Sequence, residues 1–274
     1  DVRLMGDVPF GVSRCSADVF SSPELFDLTW CGGAPPETNF KDDEFTMKWG
    51  QNWGIPLYRW DVMEKDDFYW WRQRTSMLCK VFRLFRIDHV LGFYRVYSFP
   101  FRPERNQEFL NLSPEDAREL TGGRDPGFRP RPDDTEENME KNRADGEKYL
   151  GALQKAAGEA EIVAEDLGMV PPYVPASLDS IGIPGMKVPQ WETVHYEGEF
   201  RDKSSYPWLS LATYATHDHE PIRTQWSKNQ KIVANNAPLD EVGSARHFLH
   251  RWARYCGYPE GGRHVPPSWS DEVR

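Results

Sequence analysis

The chain has 274 residues, with 33 Lys plus Arg against 43 Asp plus Glu, a formal net charge of −10. That acidic balance argues against a nucleic-acid binder, which needs clustered positive charge, and against docking on an anionic membrane surface. No apolar run reaches the length of a membrane span, and Asp1-Val2-Arg3-Leu4 opens no signal-peptide pattern, so no leader is expected. The mean hydropathy is −0.70, yet 11 Trp, 11 Tyr and 15 Phe exclude disorder as the state of the whole chain. The cysteines, Cys15, Cys31, Cys79 and Cys256, show no C-x-x-C spacing and read as free thiols of a reducing compartment.

Several short apolar runs end in a carboxylate: Arg3–Asp7, Leu84–Asp88, Ile162–Asp166 and Leu211–Asp218. A fifth, Pro184–Trp191, ends in polar and aromatic residues. Runs of this length without clean alternation suit strands buried on both faces of a parallel sheet. Between them, Asp66 or Asp67 caps a predicted helix running to about Phe82, with Phe68, Trp71, Thr75, Leu78 and Phe82 on one face. Residues 145–157 read as helix ending at Gly158, and Asp240 caps a helix with Val242, Ala245, Leu249, Trp252 and Cys256 inward, stopped by Gly257. Strands alternating with helices imply crossover units. Residues 29–60, rich in Gly, Pro and Trp, show no period and read as a long ordered loop. Residues 102–144, charged and Pro-rich, read as a surface excursion with partial helix.

In an eight-stranded α/β barrel the carboxyl ends of the strands converge on one face, where catalytic groups sit. Asp88, Glu165 and Asp218 hold such positions. Acids meeting in one pocket would divide into one ionised and one protonated group, the division that glycosidic cleavage requires. Taken singly, each reads equally as a helix cap or an ion-pair partner. Arg86 stands two residues before Asp88, on the same face of a strand, and would lie beside its carboxylate. His89 and His217 flank the acids and could hydrogen-bond sugar hydroxyls. Trp49, Trp53, Tyr58 and Trp60, among Gly50, Gly54 and Pro56, suit either stacking on sugar rings or a satellite core.

Six stretches then carry a resemblance over about residues 3–226. They are Gly6-Asp7-Val8-Pro9 with Ser16-Ala17-Asp18-Val19; the stretch from Pro35-Pro36 through Trp49-Gly50-Gln51-Asn52-Trp53-Gly54 to Trp60; Phe85-Arg86-Ile87-Asp88-His89; Ala164-Glu165-Asp166-Leu167-Gly168; Ile183-Pro184-Gly185-Met186-Lys187-Val188; and Thr216-His217-Asp218. In this order the chain resembles the 4-α-glucanotransferases of the amylomaltase type, glycoside hydrolase family 77. The resemblance implies a (β/α)8 barrel, here about strands three to seven, with the long aromatic loop, the insert 102–144, and the N- and C-terminal barrel parts missing. It implies Asp88 as nucleophile, Glu165 as general acid/base and Asp218 as the carboxylate that grips the distorted sugar. Arg86, His89 and His217 would bind around the cleaved subsite. Gln51 and Trp53 would belong to a substrate-covering loop, with Glu37 standing where the family often has Asp. A malto-oligosaccharide or α-1,4-glucan is the implied substrate, with no cofactor and no metal, in the cytoplasm. The sequence departs from the family where Val90-Leu91 replace Phe-Arg and where His219, not Asn, follows Asp218. An α-glucan hydrolase of the α-amylase group would share the three acids, and a non-catalytic glucan-binding fragment is the alternative from another class.

Overall fold

The apolar runs that end in carboxylates do form strands, and the stretch without periodicity forms more of them. The computed structural model describes residues 2–37, 43–194, 198–235 and 238–257. Among them the strands are Met5–Val8 (β1), Phe26–Ala34 (β2), Gln51–Tyr58 (β3), Leu84–Ile87 (β4), Val96–Phe99 (β5), Gly127–Arg129 (β6), Glu161–Ala164 (β7), Gly185–Lys187 (β8) and Ser210–Ala212 (β9). The chain divides into two units, residues 1–185 and 186–274.

In the first unit β4 lies between β1 and β7, both parallel to it. Gly185 continues the ladder by pairing with Ala164. The register sets Asp7 opposite Arg86 and Arg86 opposite Val163. Phe85, Arg86 and Ile87 are successive and all buried, which requires cover on both faces, as expected of a parallel strand. Part of that cover comes from the helices Tyr69–Leu78, Glu136–Ala157 and Tyr173–Ser180, whose buried residues include Trp71, Leu150, Leu153 and Leu178. Trp71 has no exposed surface and meets the rings of Tyr58, Trp70 and Phe93 at centroid distances of 5.3, 5.0 and 5.0 Å.

Boundaries of three helices differ from the sequence reading; in Leu239–Tyr255 the cap position is Pro238, and Asp240, expected as the cap, lies in the first turn. The first helix starts at Tyr69, whose N–H donates to Asp66 at 3.1 Å, but it ends at Leu78, and Val81 and Phe82 close a turn back on the Leu78 carbonyl. The helix expected over 145–157 begins at Glu136, capped by the Thr135 hydroxyl. Its first two turns are polar apart from Met139, so periodicity does not reveal them, yet Glu136 and Glu137 sit where the helix dipole favours acids.

Of the long loop expected over 29–60, residues 38–42 lie outside the described ones; the described part instead holds the helix Glu44–Trp49 and supplies most of β2 and all of β3 to an antiparallel sheet in the order β3-β2-β5-β6. Its register shifts between Asp27 and Gly32 and again between Gly32 and Gly33, and such irregularities erase the period of two on which strand recognition rests. At Gly33 a Cβ would fall 1.9 Å from the Gln51 carbonyl oxygen, so only glycine lets β2 and β3 approach this closely. Residues 102–144 contribute β6 to this sheet, through Val96↔Arg129 and Ser98↔Gly127.

In the second unit the Thr213 N–H donates to the Lys187 carbonyl at 3.0 Å. The helices Ile222–Ala234 and Leu239–Tyr255 bury Trp226, Leu249 and Trp252 in a small core of their own, with Phe200 against it. Cys256, expected inward, is exposed, because the helix ends one residue before it and Gly257 follows at φ 89°.

Two stability effects follow. Trp71→Ala should cost about 3–5 kcal/mol in chemical denaturation, since a fully buried indole leaves a cavity that its neighbours fill only in part. Gly33→Ala should cost at least about 1–3 kcal/mol although it adds a single methyl, because the opposing atom belongs to the main chain and cannot rotate away.

Candidate active site

At the carboxyl ends of β1, β4 and β7 the first unit gathers Asp7, Asp88 and Glu165 around one cation. Arg86 points there from β4 with a side chain only 5% exposed. Its Nη1 donates to Asp7 Oδ1 and Oδ2 at 2.8 and 3.1 Å. Its Nη2 lies 2.8 Å from Asp88 Oδ1 and 3.3 Å from Glu165 Oε1. Burial alone would lower the arginine's pKa; the Asp7 hydrogen bond and the charges of Glu165, Asp7 and Asp88 outweigh it and move it up. Backbone bonds fix the frame: Asp88 N–H donates to the Val8 carbonyl and Glu165 N–H to the Ile87 carbonyl, both at 2.9 Å.

His89 adds a main-chain contact. At φ 47° it holds the left-handed conformation, which few non-glycine residues adopt, and its N–H donates to Glu165 Oε2 at 2.6 Å. Its ring stands edge-on to Trp53 at 4.8 Å and to Phe10 at 6.2 Å. Burial, with the Arg95 guanidinium adding to it, pushes the His89 imidazole down to about 4, so the ring is neutral near pH 7.

A cleft of about 220 Å³ opens beside this group. Glu37, Gln51, Trp53, His89 and Glu165 line it together. The turn after Gly50 and the bent strand β3 carry Gln51 and Trp53 there, and Trp53 Nε1 donates to Gln51 Oε1 at 3.0 Å. The aromatic residues divide in their surroundings: Trp53 is 39% exposed at the cleft, whereas Tyr58 and Trp49 are buried. In the second unit His217 Nε2 lies 3.3 Å from Asp218 Oδ1, both side chains being more than half exposed. His219, after them, bonds Thr216 and packs on Trp191 at 4.2 Å.

Sequence reasoning assigned no role to Asp7, whose partner is reached across strands, and none to Arg95, Tyr97 and Phe128, which also line the cleft. The signal for Asp7 was its place at the end of the first apolar run. Among the described residues no group of three His, Cys, Asp or Glu side chains could hold a metal ion, and no helix is long and apolar enough to cross a membrane.

Chemically, the site offers two carboxylates within 3.3 Å of one guanidinium nitrogen, a neutral imidazole and an exposed indole beside a cleft. Relatives share the chain's sequence and its fold. The 4-alpha-glucanotransferase of Thermus thermophilus is 34% identical over 259 residues, 92% of this chain and 43% of the relative. The 4-alpha-glucanotransferase DPE2 of Oryza sativa is 44% identical over 99 residues, 36% of this chain. A solved amylomaltase from Streptococcus agalactiae, in complex with acarbose, superposes with a TM-score of 0.61 at 25% identity, covering 91% of this chain and 43% of that one. The chain thus spans less than half the length of the Thermus and Streptococcus proteins. The model of glycoside hydrolase family 77, 4-alpha-glucanotransferase, matches residues 1–256, and the chain belongs to that family.

Proposed function

We propose that this chain forms the catalytic part of a 4-α-glucanotransferase, which moves α-1,4-glucan segments between malto-oligosaccharides by a retaining double displacement. Protonated Glu165 gives its proton to the glycosidic oxygen as the bond to the anomeric carbon breaks, and Asp88 forms the new bond to that carbon. The 4-hydroxyl of a second glucan then attacks, Glu165 takes its proton, and Asp88 is released. Asp218 binds hydroxyls of the distorted sugar. Arg86, His89 and His217 surround the cleaved subsite, and Gln51, Trp53 and Glu37 hold the chain beside it. The reaction as written uses no cofactor.

The observation that carries this reading is the shared guanidinium nitrogen. Asp88 Oδ1 and Glu165 Oε1 both lie within 3.3 Å of Arg86 Nη2, so these oxygens can be no more than about 6 Å apart. That upper bound is compatible with the roughly 5–5.5 Å of a retaining pair and lies below the roughly 6.5–9.5 Å of an inverting one. Transfer beats hydrolysis when the acceptor is oriented and water excluded, tasks suited to Trp53 and its strand. The finer architecture in this reading is part of a (β/α)8 barrel, about its strands three to seven, with residues 102–144 as an insertion. The implied setting is cytoplasmic starch, glycogen or maltose metabolism.

In the intact enzyme, maltotriose should give a ladder of oligosaccharides plus glucose, whereas a hydrolase would give mainly short ends. Asp88→Asn should lose at least about 10³-fold in disproportionation and trap no glycosyl-enzyme, and Glu165→Gln about 10²–10⁴-fold. Wild-type ladders from the Asp88 variant would refute the assignment.

His89 generates a pH prediction. Its pKa falls from 6.5 to about 4 on folding, so the unfolded chain binds the proton more readily between those values. Its stabilising contribution is complete above pH 6.5 and is lost as the pH drops toward 4. The melting temperature of His89→Gln should therefore decline less steeply than wild type across that window, read by scanning calorimetry.

A further inference from the structure

One wall of the cleft remains without a role. Arg95, immediately before β5, is buried and sets its guanidinium 3.8 Å from the Phe128 ring centroid. Tyr97 meets the same ring edge-on at 5.3 Å. All three line the cleft with Glu165 and His89. The arginine is held from the side: its Nε pairs with Asp133 Oδ2, while Asp133 Oδ1 accepts from the Tyr173 hydroxyl at 2.9 Å and from Asn142 Nδ2 at 3.0 Å. Both oxygens of Asp133 are therefore engaged, and the guanidinium plane has a fixed place against the ring.

A buried ion pair of this kind is weak evidence for a purely stabilising role. Its position on a cleft wall calls for another account. A fixed aromatic ring offers a flat apolar surface to the face of a pyranose, and a guanidinium offers directed N–H donors to hydroxyls at the ring's edge. We propose that Arg95 and Phe128 form a further glucosyl-binding wall, a specificity-determining subsite for an additional sugar of the glucan, with Asp133 as the positioning residue that fixes it. The inference rests on the glucanotransferase reading and assigns to β6, inside 102–144, a part in substrate choice.

The test separates binding from turnover. In the intact enzyme with Glu165→Gln, calorimetric titration reads maltotriose affinity without catalysis. Adding Phe128→Ala, at a half-buried position, or Arg95→Lys, which keeps the charge and loses the plane, should each weaken binding tenfold or more. In the otherwise wild-type enzyme the same changes should raise KM for maltotriose by a similar factor, with a smaller fall in kcat. Asp133→Asn should act in the same direction. Unchanged affinity in a Phe128→Ala protein that melts normally overturns the subsite and leaves the glucanotransferase reading standing. A loss confined to kcat, with affinity intact, overturns it equally. Failure of the Glu165→Gln parent to bind any malto-oligosaccharide overturns both.

Discussion

The geometry of the site depends on one buried cation. Arg86 lies on the middle strand of three and reaches Asp7, Asp88 and Glu165, each placed at or just past the end of a different strand. Without it, carboxylates this close would repel one another. With it, two of them take fixed directions through one nitrogen, and the third clamps the other nitrogen through both of its oxygens. Three carboxylates still face one guanidinium. In the proposed reaction the transition state gathers positive charge on a sugar ring, and that surplus negative charge is already in place for it, so little reorganisation is needed at the moment of bond breaking.

The rest of the first unit brings a second set of groups to the cleft that Glu165 lines. The parallel strands are covered by helices rich in aromatic residues, and the antiparallel sheet carries Gln51, Trp53 and Phe128 to the cleft. Glycine is essential to this arrangement at two points. Gly33 lets β2 and β3 close on each other, and Gly50, at φ 100°, turns the chain into β3 where a Cβ would meet the Ala34 carbonyl at 2.1 Å.

Much of the parallel sheet and the Arg86–Asp88 pairing were legible in the sequence, because each follows from local periodicity. A buried parallel strand is a short apolar run, and residues two apart on it share a face. The features that escaped depend on what lies across the chain. Asp7 meets Arg86 through strand register, which one strand's sequence does not encode. The antiparallel sheet was hidden by its bulges and glycines. The start of the helix Glu136–Ala157 was hidden by polar turns whose partners, such as Arg131 and Asp133 at Asn142, lie outside the helix. The Arg95–Asp133 link joins residues 38 apart by a contact that only the folded sheet creates.

The contact between residue 89 and Glu165 runs through an amide of the main chain, and this makes position 89 unusual. Exchanging its imidazole for another side chain alters what faces the indole and leaves the donor at Oε2 in place. A β-branched residue would act differently, because its shape resists the left-handed twist that aims the amide. Valine there would thus disturb a carboxylate 76 positions away without any atom of its side chain touching it.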